Sequence, residues 1–105
     1  IIREFAEVFS GCDVLFTPTA PTTAFPLGEK RADSTKTYYA DVCTVPASIA
    51  GLPAISVPCA LDRGGLPIGL QIIADRGCDG LVLSCADFIE RQTSVRAQVC
   101  REASL

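Results

Sequence analysis

No histidine occurs anywhere in the 105 residues, and neither methionine nor tryptophan does. The missing histidine excludes Ser-His-Asp and Cys-His catalysis and removes the commonest side-chain metal ligand. Six cysteines stand at 12, 43, 59, 78, 85 and 100, with no Cys-x-x-Cys among them, so a zinc site lacks its usual ligand spacing. Positive charge is scarce as well: 9 basic residues against 12 acidic ones leave a formal net charge of −3. Nucleic-acid binding by this segment alone is thereby disfavoured, because neutralising phosphates needs a clustered basic patch. The nearest candidates, Lys30-Arg31 and Lys36, share a polar loop with Glu29 and Asp33. There is no Gly-x-Ser-x-Gly elbow and no glycine-rich phosphate loop. A long apolar run suited to a membrane is missing too. Val45–Leu61 is interrupted by Pro46, Pro53 and Pro58 and falls short of the roughly 20 residues a spanning helix needs.

The absent methionine has a second meaning, since it removes a start residue. The chain opens Ile-Ile-Arg-Glu-Phe, already in helical register. Ile2, Phe5, Val8 and Phe9 fall on one helical face, Gly11 is placed to end the helix, and no N-cap residue precedes it. We expect a segment of a longer protein whose beginning lies upstream; the alternative is a processed mature terminus.

What is present is apolar. Hydrophobic residues make up 49% of the chain and mean hydropathy is +0.34, which excludes disorder over most of its length. Cys43 and Cys59 sit in apolar runs and Cys85 on an apolar helical stripe. They read as small buried hydrophobes, reduced in a cytosolic setting, since no secretory signal is visible.

Along the chain, Asp13–Thr17 predicts a short strand ended by Pro18, followed by a proline-punctuated loop over 18–36. Tyr38, Val42, Val45 and Ile49 recur at helical spacing, but Pro46 lacks an amide hydrogen and breaks the run. Two short helices are expected over Thr37–Ala50, with Pro46 in the first turn of the second and Gly51 closing it. Ala54–Ala60 and Pro67–Ala74 are Ile- and Val-rich runs on either side of Asp62-Arg63-Gly64-Gly65, which predicts a hairpin of two strands. Ala54–Val57 and Ile68–Ile73 are largely apolar on both faces, without clean alternation, and need cover above and below. Asp79 is a candidate N-cap for a last helix with the stripe Leu81, Val82, Cys85, Phe88 and Ile89. Residues 93–105 read as a polar tail.

The run Gly51–Pro58 (Gly-Leu-Pro-Ala-Ile-Ser-Val-Pro) followed by Gly65–Ile73 (Gly-Leu-Pro-Ile-Gly-Leu-Gln-Ile-Ile) resembles the C-terminal part of the amidase signature family. Within that family it is most similar to the A subunits of glutamyl-tRNA(Gln) amidotransferases. The likeness extends from Asp13 to about Gln92 and implies an α/β fold, with a mixed central sheet covered by helices. Residues 1–92 then form the C-terminal portion of an amidase domain. The family's Ser–cis-Ser–Lys triad lies in a Gly/Ser-rich segment that nothing here matches, so no catalytic residue is assigned to this chain. The implied activity of the whole subunit is hydrolysis of glutamine to ammonia. A B subunit uses that ammonia, with ATP and Mg, to convert Glu-tRNA(Gln) to Gln-tRNA(Gln), and a small C subunit joins the pair. No cofactor, metal or membrane is expected for this segment itself, and the complex is expected in the cytoplasm.

One site residue carries over from the resemblance. An aspartate before the Val-Pro step binds the α-ammonium of the substrate glutamine, and the matching residue is Asp41 in Tyr38-Tyr39-Ala40-Asp41-Val42-Cys43-Thr44-Val45-Pro46. Read from the residues alone, Asp41 is a helix-surface carboxylate in water or a backbone cap; if buried, it needs a cationic partner. Thr17-Pro18-Thr19-Ala20-Pro21 matches a family loop after a strand, which we read as a proline-stiffened connection. Gly51, Gly65 and Gly69 read as turn and close-packing residues. Two other functions stay open: a stand-alone amidase acting on another amide, and a non-catalytic assembly module.

Overall fold

The computed structural model describes residues 1–27 and 41–95. Helix α1 (Ile2–Phe9) leads into strand β1 (Val14–Pro18). Then come the short helix α2 (Val45–Ala50), strands β2 (Ala54–Leu61) and β3 (Pro67–Ala74), and helix α3 (Asp79–Thr93). The three strands form one antiparallel sheet in the order β1-β3-β2. The helix-and-strand architecture agrees with the α/β expectation, and the strands among the described residues all pair antiparallel.

The hairpin forms where the Leu-Pro steps and the Gly-Gly turn predict it. Gly65 takes a left-handed φ of 85°, a conformation that suits glycine in a short hairpin loop. Asp62 organises that loop. Its Oδ1 accepts the amide hydrogens of Gly64 at 2.8 Å and Leu66 at 2.9 Å. Pairing slips by one residue between Pro58 and Ala60, leaving Cys59 as the extra residue of a bulge. Proline is tolerated in β2 because, among the described strands, β2 lies at an edge, where a missing ladder donor costs least.

Strand alternation sends Leu70, Ile72 and Ala74 to one face of the sheet and Gly69, Gln71 and Ile73 to the other. Helix α3 covers the first face. Its Val82 and Ala86 pack with Val57, Ile72 and Ala74, and Val14, Ile55, Leu70, Cys78, Cys85 and Ile89 fill in around them. Cover on this face is uneven, since Phe16 of β1 remains 54% exposed. The opposite face carries polar side chains among its apolar ones. A line of polar side chains (Thr17, Gln71, Ser56) crosses it in register from β1 through β3 to β2.

Several local expectations change. Helix α1 ends at Ser10 in a right-handed conformation, with no buried residue; Gly11 is not among the positive-φ glycines. The hydroxyl of Ser10 bonds the Glu7 carbonyl instead, so no left-handed residue is required. Residues 41–44 form a turn rather than a helix; the part of that expected helix containing Tyr38 lies outside the described residues. Helix α2 does begin with proline in its first turn, and Gly51 closes it at φ 71°. Arg76 donates to the Ala50 carbonyl at 3.3 Å, supplying positive charge at the helix end. The N-cap of α3 is Cys78, with Asp79 in the first turn, where a carboxylate still meets the positive end of the helix. Phe88 lies at the flank of the α3 stripe and is 61% exposed, while Ala86 takes the inward position. The five described cysteines are free and half-buried. No helix among the described residues is long and apolar enough to cross a membrane.

Candidate substrate site

The polar face of the sheet is built around Gln71, the buried polar side chain of the described core at 4% exposure. Its Nε2 donates to the Thr17 hydroxyl at 2.8 Å and to the Cys43 carbonyl at 2.9 Å. The first contact joins adjacent strands. The second reaches out of the sheet and fastens the 41–44 turn to the central strand. A buried amide without such partners would be strongly destabilising, so the sequence run Ile68–Ala74 tolerates its one polar side chain only because this turn lies against it.

Asp41 opens that turn. Its carbonyl accepts the amide hydrogens of Thr44 and Val45, both at 3.1 Å, and the Thr44 hydroxyl at 3.2 Å. The backbone of Asp41 thus holds the entry to α2. The residue is exposed, and among the described residues its carboxylate makes no hydrogen bond or ion pair. Tyr38 and Tyr39, which precede it, lie outside the described residues, as do Lys30 and Lys36.

A second polar cluster lies where β1 leaves the sheet. The hydroxyls of Thr19 and Ser56 meet at 2.6 Å, and Thr19 donates its amide hydrogen to the Gly69 carbonyl at 3.1 Å. Thr19, Thr22, Thr23, Ser56, Ile68 and Gly69 line part of an open cleft of about 390 Å³. The Thr23 hydroxyl closes one side by donating to Asp62 Oδ2 at 2.7 Å. The carboxyl of Asp62 is held below its ordinary range, chiefly by the Leu66 amide and next by the Thr23 hydroxyl. The Thr17–Pro21 segment is therefore more than a stiff connection, because it supplies two of the hydroxyls that organise this face. Asp41 does not line the cleft.

These groups can hold a polar ligand. Hydrolysis needs a nucleophile beside a base, and the hydroxyl of Ser56 meets another hydroxyl, that of Thr19. Sequence reasoning singles out Asp41 and misses Gln71. The available signal for Gln71 is a lone amide inside an apolar strand.

The Amidase family profile matches residues 1–83. The A subunit of the glutamyl-tRNA(Gln) amidotransferase of Thiobacillus denitrificans is 47% identical over 98 residues, covering 93% of this chain and 20% of that protein. The corresponding protein of Rhizorhabdus wittichii is 52% identical over 98 residues, with the same coverage. Among solved structures, the glutamyl-tRNA(Gln) amidotransferase A subunit of Thermotoga maritima superposes with a TM-score of 0.72 at 47% identity, over 77% of this chain and 18% of that one. A 6-aminohexanoate cyclic dimer hydrolase superposes with a TM-score of 0.74 at 30% identity, over 89% of this chain and 21% of that one. The chain spans about 20% of the length of the curated relatives it matches. By profile, sequence and fold alike, this chain belongs to the amidase family.

Proposed function

We propose that this segment forms the C-terminal, substrate-recognising part of a glutaminase subunit whose ammonia serves the conversion of Glu-tRNA(Gln) to Gln-tRNA(Gln). The observation that carries the reading is the identity of 47% to relatives named as amidotransferase A subunits over 93% of the chain. In this reading Asp41 binds the α-ammonium of glutamine. Its exposed carboxylate, without a partner among the described residues and held on a turn pinned to the sheet, supports that role. The nucleophile and base come from the remainder of the subunit. Partner B and C subunits complete the assembly in the cytoplasm, with ATP and Mg handled by the B subunit.

The test is kinetic. A full-length subunit carrying these residues is combined with its partners, and Asp41→Asn is compared with the parent. Losing a charge-assisted contact removes about 1.5–3 kcal/mol, so glutamine use should fall roughly ten- to hundredfold. Free ammonia should still support product, because it bypasses the site. Unchanged glutamine use would refute the role of Asp41.

A stand-alone amidase is the second reading, favoured by the superposition on the 6-aminohexanoate cyclic dimer hydrolase. It requires hydrolysis of a simple amide by the subunit without partners, and no dependence on Asp41 for substrates that lack an α-ammonium.

A further inference from the structure

We propose that Gln71 is a positioning residue for substrate, setting the place of the Asp41 carboxylate by holding the turn that carries it. The inference rests on the reading of Asp41 as the ammonium-binding residue. Its own basis is the geometry of the amide. A carbonyl oxygen can only accept, so the Cys43 contact fixes which end of the Gln71 amide faces the turn, and both observed bonds leave from Nε2. The anchored carbonyl lies two residues after Asp41 in a turn whose other bonds, among the described residues, are local: Thr44 and Val45 back to the Asp41 carbonyl. These bonds shape the turn and join it to α2, whose Ala47 and Ala50 are buried, but they do not reach the sheet. Among the described residues, the contact that ties this turn to the rigid centre of the sheet is Gln71 to Cys43. Thr17 serves the same end at one remove, since its hydroxyl holds the amide from the other side.

The consequence is specific. With the tether cut, the turn keeps its internal bonds but drifts relative to the sheet, and the carboxylate spends less time where an ammonium would meet it. Binding suffers, whereas the chemical step does not.

The experiment places Gln71→Met, Asp41→Asn and the double variant in the full-length subunit in complex with its partners. KM and kcat are measured with glutamine, and product formation with free ammonia. Methionine keeps the length and fills the buried space, but neither donates nor accepts like an amide. KM for glutamine should rise about tenfold in Gln71→Met with kcat little changed, ammonia-dependent product should persist, and the double variant should be no worse than Asp41→Asn. If Asp41→Asn raises KM but Gln71→Met does not, or if the two losses multiply, the positioning role is wrong and the reading of Asp41 stands. If Asp41→Asn leaves KM unchanged, that reading fails and the positioning role with it. A parallel fall in kcat with both nitrogen sources would make Gln71 structural only and overturn the proposal. Should Gln71→Met not fold, Thr17→Val loosens the same amide from its half-buried side. It should raise KM about threefold, and an unchanged KM would count against the proposal.

Discussion

The hydroxyls of Thr19 and Ser56 meet at 2.6 Å beside Gly69, joining the segment that follows β1 to β2 across the central strand. A Cβ on Gly69 would stand 2.8 Å from Thr19 Oγ1 and 3.0 Å from both Ser56 Oγ and Thr19 Cβ. The glycine is there for space. Its neighbours on β3 are ordinary strand residues, and its own φ is not positive.

Gly69→Ala is therefore expected to destabilise. Replacing glycine in a strand reduces the entropy of the unfolded chain and gains about 0.4–1 kcal/mol. Against this, overpacking costs about 1–3 kcal/mol, and the displaced Thr19–Ser56 bond forfeits about 1 kcal/mol more. The clash should win. Thermal unfolding of the full-length protein carrying Gly69→Ala should show a lowered Tm, with a smaller loss in a Thr19→Ala background where Oγ1 is gone. A Tm equal to the parent's would mean that the cleft relaxes freely.

Ile72 has no exposed surface and sits at the centre of the α3-facing core. Ile72→Ala deletes buried atoms and leaves a cavity, at a cost of about 2–5 kcal/mol. Denaturant unfolding of the full-length protein should give a lower midpoint of that size with the slope preserved. A loss below about 1 kcal/mol would indicate that α3 collapses onto the gap.

How much of this is legible in the residues differs by element. The hairpin can be read nearly to its ends, because Pro53 and Pro67 mark its starts and Gly65 is needed in its turn. Helix α3 is legible in outline, yet the stripe counts Phe88 inward, since periodicity gives a stripe but not its centre. Ala86, small and unremarkable in sequence, holds the middle of that stripe. Asp41 is found through a family resemblance rather than through its own chemistry. Gln71 can be suspected as an amide among Leu70, Ile72 and Ile73, but its partner is a backbone carbonyl at Cys43, 28 positions earlier. A carbonyl contact of that kind leaves no mark in side-chain identity.

Asp62 gives the hairpin loop an acid limit. Its folded-state carboxyl is held below the ordinary value by the Leu66 amide first and the Thr23 hydroxyl second. A lowered carboxyl contributes its stabilisation in full above the unfolded value, about 3.9. That contribution is lost as pH falls through the lower folded value. The loop should hold unchanged from neutral pH down to the unfolded carboxyl range and loosen below it. Asp62→Asn keeps an acceptor oxygen but cannot titrate. Plotted against pH in the full-length protein, Tm of Asp62→Asn should lie lower than the parent's at neutral pH, and the gap should narrow on acidification. A gap constant across the acid range would exclude this role.

The 105-residue chain made by itself provides the broadest check. Both the family's triad motif and any histidine-based substitute are missing from its sequence, and among the described residues Ser56 has a hydroxyl rather than a base beside it. It should release no ammonia from glutamine. Its surface argues for a second property: Phe16, Ile49, Leu83 and Phe88 are each more than half exposed, spread over β1, α2 and α3. Apolar surface of that extent drives association when nothing covers it. Expressed alone, the chain should bind an apolar dye such as ANS, elute as oligomers and melt without a sharp transition. Glutamine turnover above a heat-inactivated control would overturn the first expectation, and a monomeric elution peak with a cooperative melt the second. Adding the remainder of the subunit as a separate polypeptide should suppress the dye signal in proportion to complex formed, because the same apolar side chains would then be buried between the two pieces. A signal unaffected by that addition would mean that these side chains face water in the complete subunit too.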